Sequence, residues 1–365
     1  MSKEKAGILF ASALERSKAA SFGIPFILKL LFPFFIGAAV IQFLGHSPVE
    51  AYTALFRGAF YGTFNLGTTL ERFTPIFLTA LAFCIATKVS YINMGVEGCF
   101  NLGALAAAGA GFLIIDLPWF IHLPVCLLLG LIVGSIWAVI PGYLRAYWRV
   151  NELCSALLLN FVAFGIVAYM IAVPWSAMGA ASQTVPILDT ARLTRIMWPS
   201  RANTGIFIAI AVYFFVYWML QKTTFGFRMR SCGINPIFSN YIGVDAKRMV
   251  VFATLFSGGI GGLAGAIQTT GVFGTIIHGF SADTAFDGML ASLIAKNKMQ
   301  YLPIYSFMIA ALKVGALGME RHTGVPRALI DTLVPMLIIL INMDVIFNFK
   351  WKNVFKGKKP LAAGG

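Results

Sequence analysis

The sequence predicts an all-α fold: a polytopic membrane helix bundle of about ten spans, including a broken or re-entrant helix. Of its 365 residues, 59% are hydrophobic and only 12% are charged, which is too apolar for a soluble protein of this length. Apolar runs near the ~20 residues that cross a bilayer recur along the whole chain. Strand-like alternation does not recur, so the pattern favours helices over a barrel.

The apolar runs give the order of the spans. Residues 46–73 read as a connector with an interfacial segment, and 174–203 are the longest polar stretch. The run 286–295 is too short to cross alone, so it is predicted to be half of a broken helix or a re-entrant segment. The other predicted spans are 25–45, 74–92, one that begins within 93–112 and reaches Asp116, 120–147, 151–173, 204–221, 248–270, 301–319 and 327–347.

Basic residues give the orientation. The net charge is +14, and placing the N-terminus inside puts 19 of the 28 Lys and Arg in cytoplasmic segments and seven in external ones. This bias follows the positive-inside rule, so we expect membrane lipid around the chain and no nucleic-acid partner. The predicted organisation is a cytoplasmic segment 1–22, a transmembrane domain 23–348 and a basic cytoplasmic tail 349–365.

The sequence lacks the patterns of a self-sufficient enzyme. It contains no G-x-x-x-x-G-K-[ST] phosphate loop and no spaced His/Glu metal motif,. We therefore expect no catalytic residue, cofactor or metal site. The four histidines fall at predicted external ends or loops, a placement typical of solvated side chains. The five cysteines show no metal or redox spacing and are interpreted as small core residues.

Polar residues inside the apolar runs are the candidate pathway residues, because such groups at membrane depth usually face a cavity or a partner. Asn93, Glu97 and Asn101 recur every four residues, which places them on one helix face. With the glycines around them, they predict a substrate cavity at an unwound or closely approached helix start. An interhelical hydrogen-bond cluster explains them equally well. Asn160 lies mid-span, where substrate contact and packing are both open.

Two further sets have open alternatives. Phe273, Phe280 and Phe286 flank the broken region, where they either stack on a planar ligand or simply pack. Lys313 lies deep in a span, where pairing with Glu97 or Glu320 is favoured over substrate contact.

One connector stands out between Thr223 and Ala266. Its first half is basic and broken by Gly, Asn and Pro, and its second half is apolar and rich in small residues. This pattern predicts a cytoplasmic docking element joined to a moving helix. An ordinary positive loop followed by a tightly packed helix is the alternative.

Several separated motifs resemble the permease subunits of ATP-binding-cassette importers of the ribose/branched-chain-amino-acid type. The closest resemblance is to the nucleoside subgroup, the basic membrane protein-associated or "simple sugar" permeases, and it covers about residues 70–345. The motifs, in chain order, are NMGVEG from Asn93, VNELCSALLLN from Val150, TTFGFRMRSCGINPIFSNYIGVDAKR from Thr223, SGGIGGLAGA, GFSADTAFDGMLASLIAKN and RHTGVPRALID.

The resemblance implies a multi-pass protein of the bacterial cytoplasmic (inner) membrane and a set of partners. These are an ATP-binding-cassette ATPase subunit, a second permease subunit that is a paralogue or a copy, and an extracellular or periplasmic substrate-binding lipoprotein. The chain would then be a transporter subunit rather than an enzyme. The family's ATPase-contacting segment maps here onto Gly226, Phe227, Arg228, Arg230, Gly233, Asn235, Pro236 and Gly243.

The expected cargo is a nucleoside, or a similar planar, polar, uncharged ring compound. The amides and Glu97 suit ring and ribose groups, and the aromatics suit a heterocycle. Simple sugars and riboflavin remain alternatives within the same importer type. A function of another class also remains: an ion-coupled secondary transporter or channel, which broken helices and buried Glu97 and Lys313 would suit.

Overall fold

The computed structural model describes residues 33–177, 182–332 and 335–336. These residues fall into two compact units. The larger unit is Ala54–Gly318 and carries the candidate site, whereas the smaller one takes the described residues among Met1–Thr53 and Met319–Gly365.

The described residues are mainly helical, which confirms the predicted all-α class. The helices are α1 (Pro33–Phe43), α2 (Pro48–Phe60), α3 (Thr63–Thr87), α4 (Val96–Leu113), α5 (Trp119–Trp148), α6 (Glu152–Ala172), α7 (Gly205–Lys222), α8 (Thr224–Ile234), α9 (Pro236–Tyr241), α10 (Ala246–Gln268), α11 (Thr284–Ile294) and α12 (Leu302–Thr323). A π-helical turn, Thr269–Phe273, extends α10.

Within the described ranges, seven helices are long and apolar enough to cross a membrane, and an eighth span is reached if the broken pair α1 and α2 counts as one. The described spans follow the predicted order. The connector assigned to 46–73 is too long, because α3 already begins at Thr63 and not at residue 74. The half-apolar segment within it forms α2. The terminal segments 1–22 and 349–365, and most of the last predicted span, lie outside the described residues.

The centre of the larger unit is built by α3, α4, α5 and α10, with α11 packed on α3. Small residues allow these helices to approach closely, as the sequence predicts. Gly130 and Gly134 of α5 face Gly258 and Gly262 of α10, and a Cβ at Gly262 would overlap the carbonyl oxygen of Gly130. On the other side of α10, a Cβ at Gly265 would overlap the carbonyl oxygen of Phe100. Backbone-to-backbone contact of this kind is the usual basis of helix association in lipid.

The short helix α11 has left-handed residues on both sides. Ala282 and Asp283 precede it at φ 44° and 58°, and Lys296 and Asn297 follow it at φ 52° and 55°. Non-glycine residues rarely hold this conformation unless their surroundings impose it. The 11-residue length and these two sharp ends confirm a short helix in the predicted broken region.

The interpretation of the cysteines as core residues holds for four of the five. Cys154 is exposed and is the exception. Burial raises the pKa of the Cys232 thiol above its ordinary value, so this side chain stays neutral and packs as a small apolar group. The buried cysteines are Cys84, Cys99, Cys126 and Cys232.

Candidate functional site

The polar cluster lies where α4 begins. Because α4 starts at Val96, Asn93 lies in the preceding loop and not on the helix, so the prediction of one continuous helix face is wrong for this residue. Asn93 Oδ1 accepts a hydrogen bond from the Gly95 N–H at 3.1 Å, and its Nδ2 donates to Ser257 Oγ on α10 at 2.9 Å. Asn93 therefore shapes the loop and joins it to α10.

Glu97 and Asn101 occupy successive turns of α4 and connect it to α11. Glu97 is only 1% exposed, and its Oε2 accepts a hydrogen bond from the Ala285 N–H in the first turn of α11 at 2.9 Å. A carboxylate at a helix N-terminus is favoured by the helix dipole. Asn101 Nδ2 donates to the Glu97 backbone carbonyl at 2.8 Å and lies 3.4 Å from Glu97 Oε1. The pair thus holds α11 against α4.

Asn160 connects α6 to the same helix start. Its Oδ1 accepts from the Gly98 N–H at 2.9 Å, and its Nδ2 donates to the Met94 carbonyl at 2.8 Å. Both backbone groups belong to the first turn of α4 or the loop before it, where intrahelical partners are missing. Asn160 therefore caps and positions α4, and its buried amide is used in doing so.

A chamber of about 330 Å³ adjoins this cluster. This volume lies at the lower end of the range of ~300–1,000 Å³ that small-molecule sites occupy. Asn101 is the one predicted pathway residue that lines it. The other lining residues come from α6 and from the turn before α11: Phe164, Val167, His278, Gly279, Ser281, Ala282 and Asp283. The chamber therefore combines an amide, an imidazole, a hydroxyl and a carboxylate with apolar walls.

Sequence reasoning missed His278, Asp283 and Phe164. His278 was interpreted as a solvated loop residue, and it is indeed exposed, but it faces the chamber. The signal that points to Asp283 is its place in GFSADTA, directly before a short apolar run. A carboxylate there is the expected N-terminal neighbour of a half-helix.

The three predicted aromatics differ in position. Phe280 is buried and stacks on Phe100, with ring centroids 5.7 Å apart and an interplanar angle of 21°. Phe273 meets Phe280 edge to face at 6.1 Å. Phe286 lies on α11 and is half-buried. These contacts form an aromatic row of Phe273, Phe280 and Phe100. Phe280 is followed directly in the chain by the chamber-lining residues Ser281–Asp283.

The ion pair of Lys313 differs from the predicted one. Lys313 Nζ lies 3.0 Å from Asp287 Oδ1 on α11, so the expected pairing with Glu97 or Glu320 is wrong. Asp287 lies on α11, four residues after Asp283 of the preceding turn, and is only 7% exposed. The ion pair neutralises Lys313, which lies within a predicted membrane span. A charged side chain is costly at that depth unless it is paired.

At the opposite end of the larger unit, the connector forms two short helices set by side-chain caps. Thr223 Oγ1 accepts from the Gly226 N–H at 3.2 Å and begins α8. Asn235 Oδ1 accepts from the Phe238 N–H at 2.9 Å and begins α9, with Pro236 at its first turn. These are preferred residues at their helix positions, which explains the Asn-Pro break between α8 and α9.

The glycines of the connector serve packing and turning. A Cβ at Gly226 would overlap the Leu220 carbonyl oxygen, and one at Gly233 would overlap the carbonyl oxygen of Lys88. Gly243 adopts φ +81° with open space around it, so it permits the turn after α9.

Arg230 bonds back to its own chain. Its Nη1 donates to the Leu220 carbonyl at the end of α7 and lies 3.2 Å from Gln221 Oε1. Arg230 is half-buried by these contacts, whereas Arg228 is exposed. The two arginines therefore have different surroundings: one closes the α7–α8 corner and the other faces outward.

An exposed apolar face on α8 and α9 was not recognised from the sequence. Ile234 and Tyr241 are 87% and 85% exposed, and Ile237 and Phe238 lie between them with more than half of their surface exposed, as does Phe227. On α9, Ile237, Phe238 and Tyr241 are spaced at i, i+1 and i+4, which places them on one side of that helix,. Ile234 precedes them at the end of α8. We call these four residues the apolar coupling face.

The two ends of the bundle are separated by the length of α5. Its 30 residues span about 45 Å at 1.5 Å per residue. Near its start, His122 bonds Thr190 Oγ1 at 2.8 Å, and near its end Tyr147 lies under Lys247. The predicted external stretch and the predicted cytoplasmic connector thus lie at opposite ends. His122 itself is fully buried, so its interpretation as a solvated residue is wrong.

The described residues contain no group of three or more His, Cys, Asp and Glu side chains able to hold a metal ion. The chamber and the apolar coupling face differ in character. One is a polar pocket inside a membrane bundle, and the other is an exposed apolar surface on a basic connector.

Comparison with known proteins gives a consistent set of relatives. The sequence model of a family described as "Branched-chain amino acid transport system / permease component" matches residues 65–343. The guanosine ABC transporter permease protein NupP of Bacillus subtilis is 29% identical over 322 residues, covering 86% of this chain and 91% of the relative. No solved structure matches the chain.

Two further relatives carry different substrate names. The nucleoside ABC transporter permease protein NupB of Lactococcus lactis is 26% identical, with 88% of this chain and 90% of the relative covered. The glucose ABC transporter permease protein TsgB13 of Haloferax volcanii is 28% identical, with 90% and 88% covered. The helical membrane bundle, its inner chamber and these matches agree: the chain belongs to the branched-chain amino acid transport system permease family, as a multi-pass transport subunit whose ATPase is a separate protein.

Proposed function

We propose that the chain forms the translocation pathway for a nucleoside in an ATP-binding-cassette importer. The observation that carries this proposal is the chamber between α4, α6 and the turn before α11, where Asn101, His278 and Asp283 converge beside Phe164. The substrate arrives from an external substrate-binding protein and leaves toward the cytoplasm.

The chamber chemistry suits an uncharged ring compound with several hydroxyls. The Asp283 carboxylate accepts hydrogen bonds from vicinal ribose hydroxyls. The Asn101 Nδ2 is engaged by Glu97, and the Asn101 Oδ1 accepts a hydrogen bond from a base edge. Phe164 offers an apolar surface to a planar ring. An anionic cargo fits poorly, because Asp283 repels it and Lys313 is already paired with Asp287.

In this proposal, the remaining predicted pathway residues support the chamber from its surroundings and do not line it. Glu97, Asn93 and Asn160 hold the start of α4 and the position of α11, so they set the shape of the chamber. Phe273 and Phe280 lie in the aromatic row beside it, and Phe286 lies on α11. We assign direct substrate contact to Asn101 first.

A sugar is the second candidate cargo, favoured by the similarity to the glucose permease of Haloferax volcanii. A hexose uses the same hydroxyl-binding groups without needing an aromatic wall. The two cargoes therefore differ in their dependence on Phe164, which a base contacts and a small sugar needs less.

We infer that the ATPase docks on α8 and α9. The apolar coupling face, together with Phe227 and Arg228, is exposed at the end predicted to be cytoplasmic. Exposed apolar groups rimmed by charge are typical of protein interfaces. Gly226, Arg230, Gly233, Asn235, Pro236 and Gly243 support this element through the packing, capping and turn contacts described above.

The complete importer in this proposal contains a second permease subunit and sits in the bacterial cytoplasmic membrane. Lipid-facing surfaces are supplied by α5, α6 and α7, whose outward side chains are exposed. Both termini are cytoplasmic and 174–203 is external, as the charge bias predicts. Labelling a cysteine placed at Ser182, in a background without native cysteines, tests this. Access from outside is expected, and access only from inside contradicts it.

Uptake of labelled inosine, ribose, glucose and riboflavin by cells with and without the gene tests the cargo. Inosine uptake is expected to depend on the gene and to fall in Asp283→Asn and Phe164→Ala variants. The control is Gly165→Ala, next to Phe164 on α6, where a new Cβ meets nothing within 4 Å. Gene dependence of ribose, glucose or riboflavin alone would contradict the nucleoside assignment.

Docking of the ATPase is tested with a Phe238→Asp, Tyr241→Asp double variant. Copurification of the ATPase and substrate-stimulated hydrolysis are expected to be lost, because two charges enter an apolar interface. The permease should still reach the membrane, since both side chains are exposed. Gln300→Asp, an exposed position close to Asn297, is the control. Wild-type copurification of the double variant would refute the docking site.

A further inference from the structure

A second cavity, of about 420 Å³, lies at the end of the bundle predicted to be cytoplasmic. Its walls come from four parts of the chain: the loop after α3, the end of α5, the connector helices and the start of α10. It shares no lining residue with the chamber, and none of the four residues of the apolar coupling face lines it. We call it the basic cavity.

The basic cavity gathers positive charge. Of the described residues that line it, three are cations and none is acidic. Arg145 lies in the last turn of α5, Arg149 follows the end of that helix, and Lys247 lies in the first turn of α10. Charges of one sign in a concave site focus the local potential and attract a ligand of opposite sign.

The contacts of these cations leave most of their charge available. Arg145 Nε lies 3.2 Å from Glu152 Oε2, which engages one of the three nitrogens of the guanidinium group. Lys247 Nζ lies over the Tyr147 ring at 5.4 Å, a contact that brings no opposite charge. Within the described ranges, neither Arg149 nor Lys247 has a carboxylate within 4 Å.

Tyr91 gives an independent indication of a ligand. It lines the basic cavity and is only 1% exposed. Among the described residues, its hydroxyl has no hydrogen-bond partner. Buried polar groups are almost always hydrogen-bonded, and leaving one unbonded is costly. An acceptor oxygen bound in the cavity satisfies this hydroxyl.

The donors of the basic cavity fit a phosphate group. A phosphate carries nearly two negative charges and presents three strong acceptor oxygens, so it accepts hydrogen bonds from several directions. The cavity offers two guanidinium groups, one ammonium group and one tyrosine hydroxyl, and Arg and Lys are both common phosphate ligands. Its volume lies within the ~300–1,000 Å³ of small-molecule sites, so it admits a phosphate that carries an organic group.

The basic cavity lies across the joint between the connector and the bundle. Ser90 Oγ, in the loop after α3, donates to the Gly233 carbonyl of α8 at 2.7 Å. The Ala246 N–H of α10 donates to Asn240 Oδ1 of α9 at 3.1 Å. All four residues line the cavity. A ligand bound there adds contacts across the same joint, and it favours the arrangement in which both sides reach it.

We propose that the basic cavity binds the phosphate group of a phosphate ester, either a phospholipid headgroup or a soluble compound, and that the bound group holds the connector against the bundle. The phosphate lies between Arg149, Lys247 and the Tyr91 hydroxyl. Because the connector is the proposed docking site of the ATPase, occupancy slows ATP-driven transport. This regulatory consequence rests on the proposed function; the phosphate site does not.

Binding of radiolabelled glycerol phosphate to the full-length permease in dodecyl maltoside micelles, which contain no phosphate, tests the site. Saturable binding is expected. Arg149→Gln, Lys247→Gln and Tyr91→Phe should each weaken it about tenfold, the effect of losing one hydrogen bond to a charged group. Arg248→Gln is the matched control, because Arg248 is exposed beside Lys247 and does not line the cavity.

Tyr91→Phe also separates ligand binding from packing. The variant keeps the buried ring and removes only the hydroxyl, so the melting temperature without glycerol phosphate should be unchanged or higher. The rise in melting temperature on adding glycerol phosphate should shrink. A lower melting temperature with unchanged glycerol phosphate affinity would show that the hydroxyl has a structural partner and would overturn the site.

Competitors distinguish the sources of the phosphate. Displacement of glycerol phosphate by phosphatidylglycerol added to the micelles supports a lipid headgroup, and retention supports a soluble phosphate ester. Glutarate that competes as well as inorganic phosphate would overturn the assignment to phosphate. No saturable binding, or an equal loss in Arg248→Gln, would overturn the site. The assay contains no nucleoside and no ATPase, so its result is independent of the proposed function.

The regulatory consequence is tested in the complete importer, reconstituted in liposomes. Glycerol phosphate should lower inosine-stimulated ATP hydrolysis in the wild type and in Arg248→Gln, and much less in Tyr91→Phe. Hydrolysis unaffected by saturating glycerol phosphate in the wild type would overturn the regulatory half of the proposal, even where binding is positive. An importer that binds glycerol phosphate normally but shows no stimulation by inosine would instead contradict the proposed function.

Discussion

Three helices, α3, α4 and α10, are buried on most sides, whereas α5, α6 and α7 are buried on one face only; α5 uses that face to pack against α10. We call them the inner and the outer helices, and the two sets are built on different principles. In the apolar windows of the inner three, 83%, 83% and 72% of residues are buried, compared with 33%, 28% and 28% for the outer three. Yet α3 and α4 are less hydropathic than α5 and α6. The inner helices carry most of the buried Glu and Thr residues. The outer helices expose large apolar side chains on their outward faces and keep small or polar residues, such as Gly130 and Asn160, on their inward faces.

The difference teaches that hydrophobicity does not drive helices together in this bundle. Lipid tails are as apolar as leucine, so association depends on close packing and satisfied hydrogen bonds. Polar side chains therefore lie inside the bundle, where Glu97, Asn101 and Asn160 find hydrogen-bond partners. Large apolar side chains lie on its outer surface. Substitutions should have large effects on inner helices and small effects at comparable outer positions.

The largest effect is expected at the glycine contact between α5 and α10. Gly262→Leu places a side chain against the Gly130 backbone, where neither backbone can yield without separating the helices. We expect a loss of at least about 3 kcal/mol, at the upper end of overpacking costs, and little folded protein. Thermal unfolding monitored by size exclusion in detergent measures this.

Gly165→Leu on the outer helix α6 is the matched control. A Cβ there meets nothing within 4 Å, so stability should be unchanged or slightly increased by the better helix propensity. Equal destabilisation by the two leucines would show that the inner and outer helices are not distinguished by packing.

The Asp287–Lys313 pair should give the next largest effect. Lys313→Met leaves a buried carboxylate without this cation, which costs about 3–5 kcal/mol where a buried pair is broken. The double variant Asp287→Leu with Lys313→Met removes both charges and should recover most of that loss. The melting temperatures of the single and double variants show whether the stability is recovered. A double variant as unstable as the single one would mean that the pair has a role beyond neutralisation.

The smallest expected difference in stability is between two neighbouring residues on α6, Asn160 and Phe161. Asn160→Ala leaves the Gly98 N–H and the Met94 carbonyl without these hydrogen bonds and should cost about 1–3 kcal/mol. Phe161→Ala, at a position 69% exposed, should change stability by less than about 0.5 kcal/mol. Denaturation of both in the same detergent measures the contrast. A larger effect of Phe161→Ala would reverse the inner and outer assignment of α6.

Much of the bundle could be predicted because apolar runs, small-residue patterns and charge bias are visible within short stretches of the sequence. The seven described crossing helices, the short α11 and the tightly packed α10 all follow from such signals. The helical start at Thr63 was missed, because the polar residues of its first turns break the apolar run used to place the span.

The site was predicted less completely because its key contacts join distant parts of the chain. Periodicity shows that Asn101 and Glu97 share a helix face. It cannot show that Glu97 accepts a hydrogen bond from Ala285, or that Lys313 forms its ion pair with Asp287. Arg230 was assigned to the ATPase interface from its motif, yet its guanidinium bonds the end of α7. His278 and Asp283 became visible only when the turn before α11 was placed beside α4.

The central claim is that nucleosides cross through the chamber at the expense of ATP hydrolysed by a separate subunit. Accumulation of labelled inosine by proteoliposomes that contain the complete importer tests it most directly. Accumulation should require ATP, persist when a protonophore collapses the proton gradient, and fall at least about tenfold in Asn101→Leu but not in Phe161→Ala. Accumulation driven by an ion gradient without ATP, or wild-type accumulation in Asn101→Leu, would contradict the account.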